Sequence, residues 1–236
     1  MSNIYFKNFP DTNYILPNGK SVVIKDIFRK VSIQPEVIDN IVDYTWYEIQ
    51  DGERPDVVAT RLYGDSKLYW LFYLVNELDN YNDWFKSNDE FFTFINEKYP
   101  GYWLNAPTVS DIITTSNKFL LGERVTSLSS VGNVIDVDPN FKRIAVDRGD
   151  WSAGDVITGK TSGKSFTVSS VIAQRDGIEH YKNSDGLKTN VATDGFLPVT
   201  AFDIELEENE RKRKIKVIRK GFVPAIIHQF SDLMTS

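Results

Sequence analysis

The 236-residue sequence contains no cysteine. That excludes disulfides, thiolate zinc sites and cysteine nucleophiles, and it suits folding in a reducing compartment. Histidine is almost as scarce: His180 and His228 stand far apart, with no second imidazole near either. A metal site needs convergent ligands, and this pattern offers none. No run of 18 apolar residues is present, so no membrane-spanning helix is expected. The first residues, MSNIYFKNFP, lack a charged segment followed by an apolar one and do not read as a secretory signal. A broad basic surplus is also missing. Residues 1–104 hold 10 Lys and Arg against 16 Asp and Glu, residues 105–176 balance at 8 and 8, and residues 177–236 at 9 and 9. Nucleic-acid binding therefore has no electrostatic footprint.

What is abundant is aromatic surface, and it is concentrated. Of 31 Phe, Trp and Tyr, 22 lie in residues 1–104. Rings at that density build a thick core or face a partner. In the same segment, SVVIKDIF (Ser21 to Phe28) reads as an extended run leading into a short helix, and YTWYEIQ (Tyr44 to Gln50) as a strand. Asp51-Gly52 then makes a turn. Pro55 suits a first helical turn, Val58, Ala59 and Leu62 share one face, and Gly64 ends the helix. Asp65 or Ser66 caps a second helix, Lys67 to Asn76, which is apolar on nearly every side. A further helix is expected over Glu90 to Lys98.

From about residue 109 the helical signal gives way to short β-branched runs separated by Gly, Ser, Asn and Asp. GERVTSLSSVGNVIDV (Gly122 to Val137) resembles GDVITGKTSGKSFTVSSV (Gly154 to Val171). Two such halves imply a small β-barrel or sandwich with approximate two-fold symmetry, placing Val125 and Val156 at equivalent inward positions. Beyond it, a hairpin is expected around Asp185-Gly186, a charged helix over Phe202 to Arg213, a strand over Lys214 to Ile218, and an amphipathic helix over Phe222 to Met234. The expected divisions are 1–104, 105–176 and 177–236, and the fold class is α+β.

Catalytic constellations are absent. GDVITGKT (Gly154 to Thr161) satisfies the phosphate-loop pattern G-x-x-x-x-G-K-[ST]. That loop must open a helix, whereas Asp-Val-Ile-Thr favours a strand and SGKSFTVSSV another, so the match reads as part of the repeat. In ELEENERKRKIKVIRK the acids precede the bases along a helix, which suits i,i+4 pairing and the macrodipole and cancels the local field. No enzyme, cofactor or metal is expected.

The pattern of strand, Asp-Gly turn, helix ending in Tyr-Gly and second helix ending in Asn resembles a LysM module. The matching residues are Tyr44, Gly52, Ala59, Tyr63, Gly64, Leu74 and Asn76. YFKNFP, DIFRKV (Asp26 to Val31) and DGERPDVVATRLYGDSKLYWLFYLVN, in that order, together with the C-terminal NERKRKIKVIRKGFVPAIIHQFSDLM, resemble the baseplate wedge subunit of contractile-tailed, T-even-like bacteriophages, which carries a LysM-like domain. The resemblance covers about residues 1–104 and 178–236, with 109–176 as an insertion. It implies a non-enzymatic subunit of the virion tail baseplate, assembled in the host cytoplasm, that joins neighbouring wedges. Its expected partners are other wedge and inner-baseplate proteins and adjacent wedge subunits, with no nucleic acid and no membrane. The alternative is a LysM-type glycan-binding module. Such modules close with a strand carrying Gly-x-x-Leu-x-Ile-Pro, which the residues after Asn76 lack, so glycan binding is not expected.

Two partner-facing sets follow. Tyr69, Trp70 and Tyr73 place more rings on the second helix than one sheet can cover, so some of them are expected to contact a neighbouring part of this chain or another subunit. Phe222, Ile226, Phe230 and Leu233, widened by Ile227 and Met234, draw one stripe along the terminal helix. With only a small charged segment before it, that helix and the strand Lys214 to Ile218 are expected to pack on another subunit.

Overall fold

The computed structural model describes residues 4–7, 9–29 and 44–235. The expectation of a short helix after Ser21–Lys25 meets a turn at residues 27–28, and Lys30 and Val31 of the DIFRKV segment lie outside the described residues. In chain order, β1 (Asp11–Ile15) and β2 (Ser21–Lys25) precede β3 (Tyr44–Glu48), α1 (Pro55–Tyr63), α2 (Trp70–Val75) and α3 (Asn88–Lys98). Next come β4 (Tyr102–Asn105), β5 (Arg124–Thr126), β6 (Val131–Asp138), β7 (Arg143–Val146), β8 (Val156–Gly159), β9 (Ser165–Thr167) and β10 (Ser170–Ala173). The chain continues through β11 (Ile178–Lys182), β12 (Lys188–Thr189), β13 (Leu197–Thr200), α4 (Ala201–Lys212), β14 (Lys214–Ile218) and α5 (Val223–Thr235). The protein is α+β, with several antiparallel sheets.

The chain divides into two compact units: Met1–Asn88 with Asn209–Ser236, and Asp89–Glu208. The break expected at 104 falls inside β4, a strand of the second unit's main sheet, and the one expected at 176 falls within the same unit, between β10 and β11.

The first unit is built from both ends of the sequence. Pro55 opens α1, and Gly64 closes it in the left-handed region at φ 82°, a conformation that costs glycine least. Asp65 caps the next turn by accepting from the Lys67 N–H at 2.9 Å. That turn, Ser66–Tyr69, is a 3-10 helix running into α2. β14 pairs antiparallel with β3, from Lys214 opposite Glu48 to Ile218 opposite Tyr44. Val58, Leu71, Phe72, Ile215, Val217 and Phe230 are buried in one core, so α2 packs against β14 and α5 of its own chain. This corrects the expectation that the C-terminal strand and helix pack on another subunit. The apolar partner of the stripe is the N-terminal half of the chain, distant in sequence and therefore missed when only the preceding residues were weighed.

In the second unit the main sheet runs in the order β10-β4-β7-β6-β5-β8-β9, and a smaller one in the order β12-β11-β13. The repeat has a physical basis in matched hydrogen bonds. Gly122 N–H donates to Val134 O at 2.7 Å and Gly154 N–H to Val168 O at 2.8 Å, while Val134 N–H returns to Glu123 O and Val168 N–H to Asp155 O. Leu120 N–H meets the Glu123 carboxylate as Ser152 N–H meets that of Asp155. The matching inward residues are Val125 and Ile157, both fully buried, whereas Val156 is 57% exposed. The expectation for Val156 is thus off by one residue, which in a strand reverses the face. Arg143, buried, lies 3.8 Å above the Trp103 ring, pairs with Asp138 and donates to Ile178 O, which ties β11 to the main sheet.

Candidate interaction surfaces

The rings singled out on the second helix divide between core and surface. Trp70 is buried, 4.8 Å from the Phe230 ring, and Tyr5 stacks on Phe230 at 5.5 Å. Tyr69 and Tyr73 are half-buried and meet edge-to-face at 6.1 Å. Tyr73 also stacks on Trp84. Burial, then the nearby Tyr81, Tyr69, Asp83 and Asp56, push the Tyr73 phenol up to about 12. Tyr69, Tyr73 and Tyr81, with Arg54, Pro55 and Asp56, line a shallow groove of about 280 Å³. A second groove, of about 580 Å³, runs between Tyr73, Leu74 and Leu78 and the residues Tyr5, Ile27 and Phe28.

The terminal helix behaves the same way. Ile226, Phe230 and Met234 are buried, Leu233 and Ile227 half-buried, and Phe222 exposed just before the helix. The structure therefore brings Trp70, Ile226 and Phe230 together as core and leaves Tyr69, Tyr73 and Phe222 with accessible surface.

Glu53 organises the turn into α1. Its carboxylate accepts from Tyr47 Oη at 2.7 Å and Gln50 N–H at 2.9 Å, and pairs with Arg61. Burial opposes its ionisation, but Gln50, Tyr47 and Arg61 outweigh that and hold the carboxyl below its ordinary range.

The phosphate-loop match runs through β8 into a tight turn, and the strand β9, not a helix, follows. The turn's amides already have an anion: Glu123 accepts from Thr161 N–H at 3.1 Å and Ser162 N–H at 3.0 Å. A carboxylate from the other half of the repeat stands where a phosphate would be needed. His180 lies on β11 and His228 bonds Asp232 at 2.8 Å, and no cluster of three or more metal-ligating side chains occurs among the described residues. No helix among them is long and apolar enough to cross a membrane.

Sequence reasoning missed the outer face of the β3–β14 pair. There Trp46 is 49% exposed, Lys214 Nζ lies 5.0 Å from its ring and Lys216 Nζ 5.1 Å from that of Tyr44. The signal was alternation: Tyr44, Trp46 and Glu48 on one strand, and Lys214 and Lys216 on the other, occupy one face.

With these surfaces in view, comparison with known families is informative. Residues 4–102 match the family described as Base plate wedge protein 53. The match supports a baseplate wedge subunit with a structural role in the phage tail. It spans less than half of the 236 residues. Within the first unit it takes in β1, β2, β3, α1 and α2 but stops short of β14 and α5, which complete that unit's core. No curated protein matches the chain.

Proposed function

We propose that the chain is a structural subunit of a phage tail baseplate wedge that links adjacent wedges during assembly, and that it catalyses no reaction. The observation that carries this reading is the match of residues 4–102 to the wedge-protein family. The surface chemistry supports it: Glu123 fills the one phosphate-loop-like turn, and the accessible residues of the two expected sets are apolar or aromatic. Tyr69, Tyr73 and Phe222 are the partner-facing residues in this reading, with Trp70, Ile226, Phe230 and Leu233 holding the elements that present them. Its partners are other wedge and inner-baseplate proteins. Its place is the virion baseplate after assembly in the host cytoplasm. The β3-α1-α2-β14 arrangement supports a LysM-like module whose closing strand arrives from the far end of the chain, and the matched halves of residues 122–171 support a small β-barrel with approximate two-fold symmetry.

The test is assembly of baseplates from wedge proteins with and without this chain. Complete rings are expected only with it, and single wedges without it. Rings that close equally well in its absence overturn the reading. The tyrosine-lined groove favours one second reading, glycan binding in a LysM-like module. The closing strand, KIKVI, also lacks the Gly-x-x-Leu-x-Ile-Pro pattern. Chitin and peptidoglycan oligomers are therefore expected to leave the Tyr69, Tyr73 and Tyr81 resonances unmoved, and saturable micromolar binding would favour the glycan module.

A further inference from the structure

The groove beside the start of α1 has a one-sided hydrogen-bonding character. Tyr69 and Tyr73 meet edge-to-face at 6.1 Å and line it together with Tyr81, Arg54, Pro55 and Asp56. The Tyr73 ring is backed by Trp84, on which it stacks. Trp84 is itself buried and fixed by donating its Nε1–H to Glu53 O at 2.8 Å. The rings therefore stand in place before any partner arrives, which lowers the ordering cost of binding.

The two charged groups of the lining satisfy each other. Arg54 Nε lies 3.2 Å from one oxygen of Asp56, and Arg54 Nη2 donates to the other at 3.4 Å. This fork makes the lining neutral and occupies its carboxylate, the strongest acceptor in the groove. Donors are what remain. The Tyr69 and Tyr73 hydroxyls bond no other group among the described residues. Burial and the neighbouring phenols and carboxylates push the Tyr73 phenol up to about 12, so it keeps its proton and donates.

We propose that this groove receives a proline-rich, extended segment of a neighbouring baseplate polypeptide. The proposal rests on the structural-subunit reading and names the partner chemistry for Tyr69 and Tyr73. A polyproline helix has no main-chain N–H and no internal hydrogen bonds. Its carbonyls face outward as acceptors, and its pyrrolidine rings offer apolar faces. That is the complement of a neutral groove of phenol rings and donors, and aromatic-lined grooves take such preformed segments at low entropic cost. A saccharide fits less well, because its hydroxyls donate as well as accept and Arg54 already holds the groove's carboxylate. A strongly charged segment gains nothing from a lining whose charges cancel.

The experiment titrates decaproline into the full chain and follows the tyrosine ring resonances. Saturable shifts are expected at Tyr69 and Tyr73, and none with a glycine-serine peptide of the same length. The double variant Tyr69→Phe/Tyr73→Phe keeps both rings and removes only the donors. With unchanged melting, it is expected to bind decaproline at least about tenfold more weakly. Its incorporation into baseplates is expected to fall by at least about fivefold, since the same two donors are lost. Decaproline that leaves both tyrosines unmoved overturns this inference alone, as does a double variant that binds it or enters baseplates like the unsubstituted chain. A chain that never enters baseplates overturns the structural reading as well. Saturable shifts with chitin oligomers and none with decaproline would reassign the groove to glycan.

Discussion

The Asn76 side chain holds both main-chain groups of Lys216, accepting its N–H at 2.7 Å and donating to its C=O at 2.9 Å. Asn76 also donates to Phe72 O at 2.9 Å, so one amide closes α2 and borders β14 at once. It acts as a one-residue strand on that edge. Asn76→Ala strips the partners from a backbone donor and acceptor beside the core and is expected to destabilise the first unit by about 1–3 kcal/mol. Asn76→Asp is expected to be no better, since a carboxylate cannot donate to Lys216 O or Phe72 O. Urea unfolding followed by tryptophan fluorescence measures both.

The terminal helix carries the next expectation. Phe230 is 1% exposed and touches Trp70 and Tyr5. Phe230→Ala is expected to cost about 3–5 kcal/mol. Removing residues 221–236 deletes Val223, Ile226, Phe230 and Met234 from the core together. It is expected to unfold the first unit before any assembly step is reached. Circular dichroism of the truncated chain checks this, and a native-like spectrum with unchanged unfolding midpoint would refute it.

How much of this was legible in the sequence follows the range of the interactions. Pro55, Gly64 and Asp65 act within a few residues, and the elements they bound lie where pattern reading puts them. The stripe on the terminal helix was legible as apolar; its partner was not, because β3 and β14 pair across an intervening unit of over a hundred residues. Alternation cannot name the strand a strand pairs with. Of the surface residues, Tyr69 and Tyr73 were found because the helix had surplus rings. Trp46 was missed because its exposure depends on where β14 lies.

The register of the repeat gives a sharp test. Ile157 is fully buried and Val156 exposed, on the same short strand. Ile157→Ala is expected to cost about 2–5 kcal/mol. Val156→Ala is expected to change stability by no more than about 0.5 kcal/mol. Comparable losses at the two positions would mean that the strand faces the other way.

Glu123 receives the amides of Leu120, Thr161 and Ser162, and Gly159 lets it approach, since a Cβ there would lie 2.6 Å from Glu123 Oε2. Glu123→Ala leaves three donors without their anion and is expected to cost at least about 2 kcal/mol. Lys160→Ala, at an exposed position of the same turn, is expected to leave stability unchanged and to abolish no nucleotide binding, there being none to lose. Calorimetric titration with Mg-ATP checks the second half.

The Glu53 cluster contributes to the pH dependence of the first unit at both ends of the scale. Glu53 has a folded-state pKa below its ordinary value, so it binds protons less readily when folded. Its contribution is present above the unfolded carboxyl range near pH 4.5 and is lost as pH falls through the lower folded value. Tyr47 behaves oppositely: burial, then the Glu53 carboxylate, push its phenol up to about 12. The unfolded chain therefore ionises first, near 10, and the Tyr47 contribution is lost between about 10 and about 12. Tyr47→Phe should make the alkaline limb of a stability profile shallower, and Glu53→Gln the acid limb. Tyr47→Phe also removes the donor to Glu53 at 2.7 Å, so it should raise the midpoint of the acid limb as well. Urea midpoints collected from pH 3 to pH 12 separate the three effects, and an acid limb unmoved by Tyr47→Phe would show that the phenol does not hold the carboxylate down.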